Sequence, residues 1–235
     1  GTDSLSEEAS ALFKKIFGSQ AETYFVFNGT AANVLALSTM VTSFQSVLVT
    51  DCSHLNEDEC GAPEKTIGCK LIPVKSAHGK FSLPQLKSLV IRQGDQHYSQ
   101  VRAISITQPT EYGTLYSLQE IKDICDFAKE KNLLVHIDGA RLVNAAAALG
   151  VSLRNLTTDL GVDVVSLGGT KNGLLFGEAV VFLRPGLDAN FKYIRKQSMQ
   201  LPSKTRYLAA QFLEFLGTDL WQINARHANA MAQLR

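Results

Sequence analysis

A three-layer α/β fold, with helices covering both faces of a largely parallel mixed sheet, is what this 235-residue sequence predicts. The leading observation is alternation: short apolar runs such as "SVLVT", "VRAISIT", "LLVHI" and "EAVVFL" are separated by longer segments whose apolar residues repeat at helical spacing. The runs are apolar nearly throughout, which suits strands buried on both faces. No internal repeat, low-complexity stretch or linker interrupts residues 1–235, so one domain is the simplest division.

From the start, "SLSEEASALFKKIFG" reads as a helix, because Ala9, Leu12, Phe13 and Ile16 share a face, Ser4 or Ser6 can cap it and Gly18 can end it. The strand "TYFVF" leads through "NGT" into a small-residue helix, "AANVLALSTMVTS". The strand "SVLVT" then enters a polar stretch, "DCSHLNEDECGAPEK", expected to be loop. "CKLIPV" reads as strand, residues 82–93 as helix, "VRAISIT" as strand and "QPTEYGTLYS" as loop. The amphipathic helix "LQEIKDICDFAKEKN" precedes "LLVHI", after which come the strand "DVVSLGG", the turn "TKNGLLFG" and the strand "EAVVFL". Two helical segments complete the chain, and the apolar "YLAAQFLEFLG" needs a cover, either a small domain or a partner subunit.

With 23 basic and 22 acidic side chains and a net charge of +1, nothing electrostatic points to nucleic acid or an anionic membrane. No apolar run approaches the roughly 18 residues of a membrane helix, and "GTDSLSEEAS" lacks the parts of a signal peptide, so a cytoplasmic location is expected. Cys52, Cys60, Cys69 and Cys125 have neither disulfide nor zinc-type spacing; they are expected to be free thiols, Cys125 in a helix core, with no metal site.

In parallel α/β sheets ligands collect beyond the carboxyl ends of strands. At the first such end, Asn28, Gly29 and Thr30 offer amides, a hydroxyl and a helix N-terminus suited to phosphate, although taken alone the pattern favours an ordinary turn with Thr30 as N-cap. At the second, Asp138 follows "LLVHI", where a buried carboxylate needs a cation or hydrogen bonds. It could pair with Arg141 or cap a helix; alternatively it holds a cationic ring nitrogen of a ligand and leaves Arg141 to grip an anion. At the third, Lys171 follows a strand and a Gly-Gly pair, a suitable setting for a Schiff-base amine, or a plain turn lysine. His54, on the polar stretch, could stack on an aromatic ligand or move a proton, with Glu59 and Glu111 as helpers. Phosphate cradle, stacking histidine, aspartate and lysine, in that order, form the set of parts of a pyridoxal 5'-phosphate site.

These residues resemble the threonine aldolase branch of the β-eliminating lyases, fold-type I pyridoxal-phosphate enzymes. The likeness runs through "FNGTAAN", "HLNEDECGA", "HIDGARLVNAA", "SLGGTKNG" and "RHANAMAQLR". It implies an aspartate-aminotransferase-like large domain with pyridoxal phosphate as cofactor. Lys171 would carry the cofactor as a Schiff base, Asp138 pair with its ring nitrogen and His54 stack on the ring. Gly29 and Thr30 would bind the phosphate, and Arg141 the substrate carboxylate. The implied reaction is cleavage of threonine or allo-threonine to glycine and acetaldehyde, in a homodimer or homotetramer.

Two departures qualify this. Beside Thr110, where many members of the family have a histidine, this chain has Glu111, which leaves the proton-transfer group open. An N-terminal segment and a small C-terminal domain typical of the family are expected to lie outside these residues. A phenylserine-type aldolase, a β-eliminating lyase or a related racemase would share the same parts. A non-catalytic binding module could share the fold, whereas a dinucleotide-binding protein is disfavoured by the lack of G-x-G-x-x-G after any strand.

Overall fold

The computed structural model describes residues 3–234. Helix α1 (Ser4–Phe17) is capped by Asp3, not by Ser4 or Ser6; the Asp3 carboxylate accepts the Ser6 N–H at 3.1 Å. A charged cap satisfies a free amide and also meets the positive end of the helix dipole. Strand β1 (Glu22–Val26) leads to α2 (Gly29–Ser38), which stops short of Ser43 because the Ser38 and Thr39 hydroxyls turn back onto the carbonyls of Leu35 and Ala36.

After β2 (Gln45–Thr50), the stretch expected to be loop contains two short helices, α3 (His54–Glu57) and α4 (Ala62–Ile67). Neither is long enough to show a hydrophobic period, which is why the sequence conceals them. Next come β3 (Lys70–Val74) and α5 (Leu83–Leu89), shorter than the expected 82–93 and opened by a Ser82–Gln85 capping box. Strand β4 (Gln100–Thr107) and α6 (Leu118–Glu130), with its own Ser117–Glu120 capping box, lead to β5 (Leu134–Gly139). Helices α7 (Leu142–Leu149) and α8 (Leu153–Leu156) precede β6 (Val164–Gly168) and β7 (Glu178–Phe182). Three helices rather than two follow: α9 (Phe191–Gln197), α10 (Arg206–Gly217) and α11 (Leu220–Ala232).

The seven strands form one sheet in the order β1-β7-β6-β5-β4-β2-β3. Pairings among β2 to β6 are parallel, and β7 runs antiparallel to both β1 and β6, giving the mostly parallel mixed sheet that was expected. One face buries Leu48, Ile104, Ile137, Val165 and Val181 beneath α1, α6, α7 and α10. Helix α10 finds its cover within this domain: Phe212 stacks on Phe25 and meets Phe13 of α1 edge-on. Replacing such a buried Phe by Ala costs about 3–5 kcal/mol.

The other face, under α2 and α9, changes character along its strands. β4 presents Ala103, Ser105 and Thr107; β5 presents Leu134, His136 and Asp138; β6 presents Val164 and Ser166. Apolar residues occupy the amino ends and polar ones the carboxyl ends, so the site lies where the strands feed their helices. No helix among the described residues is long and apolar enough to cross a membrane. The cysteines are free thiols, and Cys125 is buried on α6.

Candidate active site

Asp138 stands at the end of β5, in register with Thr107 of β4 and Ser166 of β6, and is only 5% exposed. Its carboxylate accepts the Asn33 amide at 2.8 Å and the Ala140 N–H at 3.1 Å. The local alternatives do not hold: it forms no ion pair with Arg141, and it is Arg141 that occupies the N-cap position of α7. A carboxylate buried with neutral donors alone favours a cationic ligand.

Asn33 was not singled out by the sequence, yet it joins the site together. Its Nδ2 also donates to Glu59 Oε1 at 2.9 Å, and the same oxygen meets His54 Nδ1 at 3.1 Å. A continuous path therefore runs from His54 through Glu59 and Asn33 to Asp138. Burial pushes the Glu59 carboxyl above its ordinary range, and the charge on Asp138 adds to this, against the pull of Asn33 and His54. The one available signal was an asparagine among buried Ala32, Val34, Leu35, Ala36 and Leu37 of α2.

At the start of α2 the cap is Asn28, not Thr30; its side chain accepts the Ala31 N–H at 2.9 Å. That leaves the Gly29 and Thr30 amides without a partner among the described residues, at the positive end of a ten-residue helix. Gly29 does not need its backbone freedom, since it opens a regular helix and an added Cβ would meet nothing within 4 Å. It keeps space open where an anion can approach the amides.

Lys171 lies in a tight turn, Thr170–Asn172, directly after β6. Asn172 pins this turn by donating to the carbonyls of Ala140 and Gly168, and buried Glu178, also missed in the sequence, accepts the Gly169 N–H at 2.8 Å. A Cβ on Gly168 would collide with the backbone of Ala140, so the lysine turn and the turn after Asp138 are in direct contact. Lys171, Asp138, His54, Asn33 and Gly29 line both a cavity of about 320 Å³, with Thr30 and Ser166, and an adjoining cleft of about 40 Å³, with Glu59, Glu111 and Arg141.

Glu111 sits on the rim and accepts the His54 backbone N–H at 3.1 Å. Desolvation raises its pKa, the negative charge of Asp138 raises it further, and Lys171 lowers it. Thr110 does not line the cavity: its hydroxyl is paired with that of Thr114 at 2.7 Å, holding the loop.

A family model for beta-eliminating lyases matches residues 1–235. The chain belongs to that family. It is 42% identical, over its whole length, to low specificity L-threonine aldolases from Pseudomonas sp. (strain NCIMB 10558) and Pseudomonas aeruginosa, and spans 68% of each. The solved structure of Leishmania major threonine aldolase superposes with a TM-score of 0.93 at 29% identity, covering 99% of this chain and 68% of that one. The chain is a pyridoxal-phosphate-dependent lyase of fold type I.

The residues present fit that cofactor. Open space at Gly29 beside free amides suits its phosphate, the cation-free Asp138 suits its ring nitrogen, and Lys171 supplies an amine in the same cavity. Asn33 Oδ1 and Glu59 Oε2 are buried without hydrogen-bond partners, as expected of a polar lining made to meet a ligand.

Proposed function

We propose that this chain cleaves L-threonine and L-allo-threonine to glycine and acetaldehyde by breaking the Cα–Cβ bond. The observation that carries the reading is Asp138, a buried carboxylate with only neutral donors among the described residues, sharing a cavity with Lys171 and opening onto Arg141. The likeness to named threonine aldolases supports the choice of substrate.

When bound, pyridoxal phosphate supplies an electron sink for the pair left by a bond broken at Cα. Gly29 and Thr30 would hold its phosphate, Asp138 its protonated ring nitrogen, His54 the face of its ring and Lys171 its aldehyde carbon. Arg141 grips the substrate carboxylate and so decides which Cα bond stands where it can break. Glu111 takes the β-hydroxyl proton; its raised pKa makes it a stronger base than an ordinary surface carboxylate. The Cα–Cβ pair stays with Cα, the aldehyde departs, and a proton returned to Cα completes glycine. Glu59 assists by holding His54 through Nδ1.

Residues 1–235 act in this reading as the cofactor-binding large domain, in a homodimer or homotetramer working in the cytoplasm. The test is release of glycine and acetaldehyde from both substrates, with Lys171→Ala as control. We expect turnover by the wild type and a loss of at least about a thousandfold in the variant. Wild-type turnover in Lys171→Ala would refute the assignment.

A further inference from the structure

His136 is fully buried two positions before Asp138 and plays no part in the reaction described above. Both its ring nitrogens are engaged: Nδ1 lies 2.8 Å from the Ser105 hydroxyl on β4, and Nε2 lies 2.9 Å from the Ser166 hydroxyl on β6. A polar string thus crosses three strands beneath the cavity floor, flanked on the amino side by Ala103, Leu134 and Val164. Burial holds the imidazole pKa down at about 4, against the opposing pull of Asp138, so the ring is neutral. A neutral imidazole has one donor and one acceptor.

Hydrogen-bond accounting then sets the direction of the string. Ser105 is 3% exposed and, among the described residues, its hydroxyl has no acceptor besides His136, so it donates to Nδ1. The ring proton therefore sits on Nε2 and is donated to the Ser166 oxygen, which frees the Ser166 proton. Ser166 lines the cavity next to Asp138.

We propose that His136 is a positioning residue that fixes Ser166 as a hydroxyl donor directed into the cofactor cavity on its Asp138 side. The string carries an orientation from the core to the site without touching the substrate. The proposal rests on the cofactor assignment, and its test keeps the two apart.

The test compares wild type, Ser166→Ala, His136→Leu and His136→Gln, each stripped of cofactor and reconstituted with pyridoxal phosphate. Cofactor Kd, the visible absorbance maximum and the melting temperature of the stripped protein are measured. Ser166→Ala and His136→Leu should raise Kd by about three- to tenfold, the worth of one hydrogen bond, and displace the absorbance band. His136→Gln, whose amide keeps one acceptor and one donor, should restore the wild-type band. If Ser166→Ala and His136→Leu keep the wild-type Kd and band and only melt lower, the string is core structure and the proposal is overturned. If Ser166→Ala alone changes them while both His136 variants behave as wild type, His136 has no positioning role. A wild type that forms no band would overturn the cofactor assignment together with this proposal, an outcome visible before any variant is compared.

Discussion

Two buried aspartates occupy opposite ends of the β5–β6 pair, and they are finished differently. Asp163, just before β6, accepts the Val135 N–H at 2.7 Å and an Arg184 N–H at 3.3 Å, while its carbonyl takes the Leu183 and Arg184 amides. Asp138, at the other end, has the Asn33 and Ala140 donors but no cation paired with it among the described residues. At the amino edge the fold completes its own electrostatics; at the carboxyl edge it leaves a charge for a ligand to match. Burial alone does not separate the two, with exposures of 5% and 8%. The identity of the partners does.

The sharpest way to break the contrast is Asp138→Asn. It should lower kcat/KM by about a hundred- to a thousandfold, because the electrostatic support for the ring nitrogen is gone. Its melting temperature should fall only modestly, because the two donors meet different carboxylate oxygens and Asn can accept only one of them, which strands one hydrogen bond worth about 1–3 kcal/mol. A fully active Asp138→Asn protein would show that the charge at that end is not required for the ring nitrogen.

Next in size is Glu111→Gln, with a loss of about a hundredfold in kcat. Its pH profile carries the sign: a base works when ionised, so the rate falls as pH drops through its pKa. Because that pKa is raised by desolvation and by Asp138, the wild-type fall begins above the ordinary carboxylate range, and it should vanish in the variant. A surviving acidic limb would transfer the role to Glu59, whose pKa is raised as well. The smallest effect belongs to Asp163→Ala, which strands the Val135 amide and should cost about 1–3 kcal/mol in denaturant unfolding while leaving kcat unchanged. A drop in kcat without loss of stability there would erase the distinction between the two ends.

What the sequence shows of this contrast follows from distance along the chain. Asp138 and Lys171 are legible because one interrupts an apolar strand at its carboxyl end and the other closely follows one, a local signal. Asn33 is not, since its partners Glu59 and Asp138 lie far off in sequence and its helix reads as uniformly small and apolar. His136 is hidden inside the apolar run "LLVHI", and only the register with β4 and β6 reveals its two serines. The sheet is readable because strands of five to eight residues keep a composition of their own, whereas α3, with four residues, has no period to read. Thr110 is the opposite case, a polar residue close to the site in sequence whose hydroxyl pairs with Thr114 within its own loop.

The contact between Gly168 and the Ala140 backbone bears on how this protein would look under random mutagenesis. A survey of tolerated substitutions would score position 168 as intolerant as Lys171, though glycine contributes no acid, base or nucleophile. What it contributes is a spacing, because any side chain there would push the lysine turn away from the aspartate turn. Intolerance at such a position is a record of a distance, and an engineer seeking to enlarge the site for bulkier aldehydes should leave it alone and work instead on the open rim around Glu111.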